Sequence, residues 1–124
     1  MTYSKRTTLL VGIFFLVIFG CKSSEGTTSG LPECVLAKIQ EIKNEPVQNP
    51  PGEVWQWKSG SELYYYFNAP CCDFFSELYD SHCEFVCAPD GGIKGTGDGK
   101  CPTFSEKTER VLIFRDERKN IRGK

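Results

Sequence analysis

The sequence predicts a small α+β domain in which one N-terminal helix packs on an antiparallel sheet of about five strands. Three observations support this fold class: an amphipathic helical segment comes first, short aromatic-rich segments separated by turn residues follow it, and six cysteines are spread through both. The domain is expected to run over 31–116. A chain of that size buries only one modest core, so disulfide bonds are expected to staple it.

The helix is predicted to lie between two prolines. Pro32 suits the first helical position, Glu33 suits the positive end of the helix dipole, and Pro46 ends the helix because it lacks a backbone N–H. One stripe of apolar side chains faces the core, and it consists of Leu31, Val35, Ile39 and Ile42. Cys34 lies at the edge of that stripe, so we expect its sulfur to reach the neighbouring sheet.

Five strands are predicted from short apolar or aromatic segments bounded by turn residues. They cover 53–58, 62–68, 74–79, 83–88 and 110–115. Ser59 and Gly60 are expected to form a two-residue turn between the first two strands, and 80–82 a second turn. Thr103 with Glu106 suits the capping of a short helical turn before the last strand.

The first twenty residues are typical of an export signal and not of the folded domain. Lys5 and Arg6 form a basic start, and the apolar run over 9–19 is too short to span a bilayer comfortably. The segment 17–21 ends in Gly20-Cys21 and resembles a lipobox, which predicts cleavage before Cys21 and acylation of its thiol. The alternative is an ordinary signal peptide that leaves Cys21 as a plain thiol.

The mature chain is expected to be tethered to a bilayer by the acylated Cys21, in a bacterial cell envelope and there in the outer membrane. Residues 21–30 are small and polar and suit a flexible tether, and 117–124 are expected to form a charged tail. Removal of 1–20 leaves 13 of the 15 basic residues against 16 acidic ones, a net charge of −3. That charge argues against a nucleic-acid partner.

Cysteine parity predicts a disulfide framework. If Cys21 of the seven cysteines carries lipid, the even set that is left consists of Cys34, Cys71, Cys72, Cys83, Cys87 and Cys101. Metal binding is the rival interpretation, but paired CxxC motifs are missing and His82 is the only histidine. We therefore expect disulfide bonds and no metal or other cofactor.

One pairing is predicted on physical grounds, between Cys87 and Cys101. The segment between them holds five glycines and a single sizeable apolar side chain, so a bond closing it would offset its ordering entropy. A bond between Cys83 and Cys87 is excluded if they share one extended strand, because four residues then separate them by about 13 Å.

The adjacent Cys71 and Cys72 are expected to point to opposite sides of an extended chain and to take different partners. A vicinal disulfide that switches with redox state is the less favoured alternative. The helix cysteine Cys34 is then expected to bond to Cys71 or Cys72.

Trp55, Trp57, Tyr64 and Tyr66 are the candidate binding residues. With the turn at Ser59-Gly60, Trp55 lies opposite Tyr64, and strand alternation puts all four rings on one sheet face. Since a single helix covers only one face, this aromatic face could present a platform to a sugar or a protein partner. Alternatively, loops and the chain ends cover it.

The glycine-rich segment over 91–100 fits no nucleotide-binding motif. Lys94 stands where a P-loop has its first glycine, Cys101 stands where the magnesium-binding Ser or Thr belongs, and Lys100 occupies the third glycine position of a dinucleotide fingerprint. A compact surface loop stapled at its ends is the favoured interpretation.

Two other functions of this loop are alternatives. Asp90 and Asp98 could supply carboxylates to calcium, although their spacing matches no EF-hand. The segment 88–100 could also act as a protease-inhibitor loop with Lys94 at the specificity position, but five glycines are expected to make it too soft.

Catalysis has little support in the sequence. His82 is the only histidine, the residue type that most often serves as a general base, and no nucleophile stands at motif spacing from it. The acid pairs Asp73 with Glu77 and Asp80 with Glu84 suit ordinary surface charge. We expect no enzyme, and a small carboxylate-based hydrolase is the weakest alternative.

Three strings of this sequence resemble a family. NPPGEVWQW, YYYFNAPCCDFFSELYD and CAPDGGIKGTGDGKCP are similar to a domain-of-unknown-function family of small Bacteroidota lipoproteins, over about 34–116. The resemblance implies an envelope lipoprotein and no mechanism. With the residues above, it favours a non-enzymatic module that binds an unidentified protein or glycan.

Overall fold

The computed structural model describes residues 30–119. The expected signal peptide over 1–20, the lipid site Cys21, nearly all of the tether and the end of the tail at 120–124 lie outside these residues. Within 30–119 no helix is long and apolar enough to cross a membrane.

The chain forms one helix and one five-stranded antiparallel sheet. The elements are α1 (Glu33–Asn44), β1 (Glu53–Ser59), β2 (Glu62–Phe67), β3 (Glu77–Asp80), β4 (Phe85–Cys87) and β5 (Glu109–Arg115). The strand order is β4-β3-β2-β1-β5, so β1 and β2 lie near the centre and β5 forms one edge. The predicted α+β class is confirmed.

The helix covers one face of the sheet. Val35 and Ile39 of α1 pack on Val54, Tyr65 and Phe67 from the two central strands. Pro32 is the residue before the first helical position, where its carbonyl accepts hydrogen bonds from the amides three and four residues on. The helix ends before Pro46, as expected, and α1 leaves the opposite sheet face uncovered.

The central hairpin has a different register from the predicted one. Its turn is Gly60-Ser61, since Ser59 pairs with Glu62, and Gly60 has the positive φ of 63° that a tight hairpin turn needs. Tyr64 therefore lies opposite Trp57 and not, as predicted, opposite Trp55. A shift by two residues leaves every side chain on its original face, so the predicted division of the aromatic residues is unaffected.

Two sequence-based assignments next to this hairpin are wrong. The third strand begins at Glu77 and not at 74, because Phe74 and Phe75 lie in a segment that contacts the glycine-rich loop. No helical turn forms at Thr103 and Glu106. That segment is irregular and ends in a turn closed by the Thr108 amide and the Ser105 carbonyl.

The disulfide between Cys87 and Cys101, with a Cα–Cα distance of 5.1 Å, confirms the predicted loop closure. The expected partner of Cys34 is wrong: Cys34 is bonded to Cys83, with a Cα–Cα distance of 5.9 Å. Cys83 lies in the turn between β3 and β4, with a φ of 70°, and not in an extended strand. That turn lies beside the start of α1, which is a tertiary contact.

Cys71 and Cys72 are bonded to each other. The expectation that they take different partners is therefore wrong. It assumed an extended chain, whereas Cys72 has a φ of 54° and Phe74 donates its amide hydrogen to the Cys71 carbonyl. The segment is a tight turn, which brings the two thiols to the same side.

The chain after β5 returns to the helix. Arg118 donates hydrogen bonds from Nη2 to the carbonyls of Ile42 and Glu45, at 2.8 and 3.0 Å, and so caps the end of α1. The same guanidinium pairs with the buried Asp116 and lowers the pKa of its carboxyl. Arg118 is thus part of the fold, although the sequence assigned it to a solvated tail.

Candidate functional site

The sheet face opposite α1 carries the aromatic cluster. Trp57 is at its centre with Leu78 and Cys87, and Trp55, Tyr64 and Tyr66 pack around them. The expectation that the two tryptophans share a face with these tyrosines is confirmed. The segment after β4 crosses part of this face and adds Cys101 and Phe104 to the cluster.

An open groove remains between this segment and the sheet. Its volume is about 500 Å³, and it is lined by Trp55, Trp57, Tyr66, Pro89, Asp90, Cys101, Phe104 and Arg110. The sequence left open whether the aromatic face is exposed or covered, and each alternative is partly correct. The chain covers one part of this face and leaves another part accessible. We call this cavity the aromatic groove.

Trp57 is the buried floor of the aromatic groove. It is only 8% exposed, it stacks on Tyr66 with ring centroids 5.1 Å apart, and Phe104 packs edge-on against it at 5.4 Å. Arg110, its cross-strand neighbour in β5, places its guanidinium carbon 4.3 Å from the ring centroid. Trp57 therefore lines the groove from below and offers little free surface.

Tyr64 is also not a wall of the groove. It packs edge-on against Phe104, with ring centroids 5.3 Å apart, and does not line the cavity. Of the four predicted binding residues, Trp55 and Tyr66 remain as half-buried side chains on the groove. Tyr64 instead supports Phe104, which is a lining residue.

Acidic side chains hold the polar tips of both rings. Trp55 donates its indole N–H to Glu53 Oε2 at 2.8 Å, and Tyr66 donates its hydroxyl to Asp90 Oδ2 at 2.8 Å. Burial and the bond to Asp90 raise the pKa of the Tyr66 hydroxyl, so it stays protonated and donates. Glu53 is itself fixed by Arg115, whose Nε lies 2.8 Å from Oε1. The groove is therefore preorganised.

Several residues that line the groove were not predicted as binding residues from the sequence. Phe104 and Pro89 belong to irregular segments whose path over the sheet no periodic pattern shows. Arg110 could have been predicted to lie on this sheet face, because side chains alternate along β5 and Arg110 pairs with Trp57. Asp90 was considered only as a calcium ligand.

The glycine-rich loop is docked through its backbone on the segment that precedes β3. Asp90 donates its amide hydrogen to Ser76 Oγ at 3.0 Å and accepts the Ser76 amide at 3.1 Å, while Gly92 donates to the Phe74 carbonyl at 3.0 Å. Ser76 is fully buried beneath this contact. The two segments thus hold each other, and Asp90 is set at the edge of the aromatic groove.

Close backbone contacts explain two of the glycines. Gly91 and Gly97 have φ values of 84° and 70°, and a Cβ would collide with the carbonyl oxygen of Phe74 at the first and of Ala88 at the second. The amide of Asp98 also donates to that Ala88 carbonyl, at 3.0 Å. The loop is therefore internally bonded, contrary to the expectation of a soft segment.

The tip of the loop does not suit the protease-inhibitor alternative. Ile93 and Lys94 are the central residues of a turn that is closed by the Gly95 amide and the Gly92 carbonyl at 3.0 Å. Ile93 is 89% exposed. A segment that binds by strand addition to a protease must be extended at this point, and a closed turn is not.

The other candidate sites gain no support from the geometry. Asp90 binds Tyr66, and Asp98 Oδ1 accepts the Lys100 amide at 2.9 Å, so both calcium candidates are engaged within the protein. Over 30–119 there is no group of three or more His, Cys, Asp or Glu side chains that could hold a metal. His82 lies exposed in the turn before β4, where Asp80 Oδ1 accepts its amide hydrogen.

Comparison with known proteins gives a family and no activity. A family model described as Domain of unknown function (DUF6970) matches residues 40–116, which include five of the six domain cysteines and all of the aromatic groove. No significant match was found among curated proteins or among solved structures. The chain belongs to the DUF6970 family.

Proposed function

We propose that this protein is a non-enzymatic binding module of the bacterial cell envelope, anchored by lipid on Cys21, whose ligand occupies the aromatic groove. The observation that carries the binding role is the preorganisation of the groove: Trp55 and Tyr66 are held at their polar tips by Glu53 and Asp90, while the groove stays open. A site that is rigid before binding loses less entropy when a ligand enters.

The proposed lipid anchor is supported by the pairing of the other six cysteines. All six cysteines of the domain are bonded in pairs, so Cys21 is the one cysteine of the seven left over. An unpaired thiol in an exported chain calls for an explanation, and the Gly20-Cys21 junction after an apolar run supplies one. The proposed location is the outer membrane.

Intrinsic fluorescence tests the binding role directly, because both tryptophans of the chain line the groove. The purified domain is titrated with peptide, glycan and lipid fractions of envelope extract and growth medium. At least one fraction is expected to shift the emission and to protect Trp55 from acrylamide quenching. The same fraction should leave the emission of a Trp55→Ala variant unshifted. If the domain is folded and no fraction changes its tryptophan emission, the proposal is refuted.

The anchor has its own test, mass spectrometry of the protein from the membrane fraction. An acylated N-terminal Cys21 is expected, and a Cys21→Ser variant should appear in the soluble fraction because it offers no thiol to the lipid donor. The Cys72→Ser variant, which changes one exposed cysteine of the domain, serves as the control and should remain in the membrane fraction. An unmodified N-terminus at another residue would contradict the anchor.

A further inference from the structure

We propose that the ligand of the aromatic groove is a neutral glycan, with a pyranose ring lying on the aromatic walls and its hydroxyls bound by Asp90 and Arg110. This inference rests on the proposed binding function and gives it a ligand class. It follows from the apolar surface of the groove, from its two charged side chains, and from its place on the sheet.

The apolar part of the groove suits the C–H face of a sugar. Trp55 and Phe104 are half-buried aromatic walls, and Pro89 adds a third apolar surface. A pyranose ring is amphipathic, since its faces carry C–H groups and its rim carries hydroxyls. It can therefore contact flat rings and still present its polar rim to side chains beside them.

The two charged groups of the groove complement that polar rim. Asp90 uses Oδ2 for Tyr66, and no hydrogen bond from residues 30–119 reaches its Oδ1, which can accept from a hydroxyl. Arg110 is exposed, with its guanidinium carbon 4.3 Å from the Trp57 ring centroid, and no hydrogen bond within residues 30–119 uses the N–H groups of the guanidinium, so they can donate to a ligand. A hydroxyl both donates and accepts, so a pair of neighbouring hydroxyls can use both groups.

Charge favours a neutral sugar over an acidic one. Asp90 and Arg110 balance each other within the groove, and the mature chain carries a net charge of −3. A glycan rich in carboxylates would gain attraction from Arg110 but would meet repulsion from Asp90 and from the domain as a whole.

The position of the groove disfavours an extended peptide. Its floor is the middle of the sheet, where the backbone groups of β1 are paired with β2 on one side and with β5 on the other. Peptides that bind sheets take most of their affinity from main-chain hydrogen bonds to a free edge. The edge strand β5 contributes only Arg110 to the lining, and the guanidinium of Arg110 lies over Trp57, so side chains must supply the polar contacts.

A panel of defined probes tests this inference on the folded domain. The neutral probes are the hexaoses of glucose, mannose, galactose, xylose and N-acetylglucosamine, the acidic probe is polygalacturonate, and the peptide probe is a tryptic digest of casein. Tryptophan emission and titration calorimetry report binding. At least one neutral hexaose is expected to bind saturably, and more tightly per site than the acidic and peptide probes.

Variants then locate the bound sugar. Trp55→Ala is expected to weaken binding of that hexaose at least about tenfold, which corresponds to the loss of one aromatic stacking surface. Arg110→Gln keeps a side chain over Trp57 and should weaken binding severalfold. Phe85→Ala removes an aromatic ring that is 53% exposed on the distant edge strand β4, and it should change nothing.

The outcomes separate this inference from the proposed function. Binding of polygalacturonate or peptides that depends on Trp55, without binding of any neutral hexaose, overturns the neutral glycan and leaves the binding role of the groove intact. A hexaose that binds equally well to Trp55→Ala and Arg110→Gln overturns the site. If neither the probes nor any envelope fraction binds, both proposals fail.

Discussion

Replacement of both Cys34 and Cys83 by alanine is expected to lower the free energy of unfolding by about 4 kcal/mol. The bond joins residues 49 positions apart, so in the chain-entropy model it removes more freedom from the unfolded chain than the other two disulfides do. It is also the covalent link between the start of α1 and the turn before β4. Urea unfolding followed by circular dichroism measures the change.

Two matched double variants serve as controls for this prediction. Replacement of Cys87 and Cys101 by alanine, 14 positions apart, should cost about 3 kcal/mol, and replacement of the adjacent Cys71 and Cys72 about 1 kcal/mol. The order of the three losses is the quantity to compare. Equal losses in all three double variants would show that loop closure does not control the stability of this domain.

Trp57→Ala is expected to destabilise the domain by about 3–5 kcal/mol, the range for removal of a large buried aromatic side chain. The indole contacts Tyr66, Phe104 and the Arg110 guanidinium, and all of them lose packing surface together. Thermal and urea unfolding measure the loss. The near-ultraviolet circular dichroism of the remaining aromatic residues should weaken as well.

Trp55→Ala is the matched control, since it removes the same side chain from the neighbouring position on the same face. Trp55 is only half-buried, so its loss should cost about 1 kcal/mol, the usual size for a single substitution, while binding in the groove is lost. This contrast separates the packing role of Trp57 from the ligand role of Trp55. A larger stability loss for Trp55→Ala than for Trp57→Ala would contradict the assignment.

The aromatic hairpin shows which structural features a local sequence pattern can predict. The predicted turn was one residue early, at Ser59-Gly60 instead of Gly60-Ser61, and the cross-strand partners were wrong as a result. The sheet face of each ring was nevertheless predicted correctly, because the register shift was two residues and side chains alternate with a period of two. An odd shift would have exchanged the two faces.

The cysteines show which disulfide bonds a local sequence pattern can predict and which it cannot. The loop between Cys87 and Cys101 was predictable, since one contiguous segment with almost no apolar side chains needed closure. The bond from Cys34 was not, because it depends on which turn of the sheet lies beside the start of the helix. The bond between Cys71 and Cys72 depends on the left-handed backbone conformation of Cys72, which cannot be predicted from the residue type.

The sequence by itself determined the α+β class, the helix between Pro32 and Pro46, and the sheet face of each ring in the central hairpin. Those properties follow from the spacing of residues along the chain, which sets side-chain direction within a helix or strand. Only the tertiary structure decided that Trp57 is buried and Trp55 accessible, and that Arg110 and Asp90 reach the aromatic groove. These depend on how the segment after β4 crosses the sheet, a path set by contacts between residues far apart in the chain.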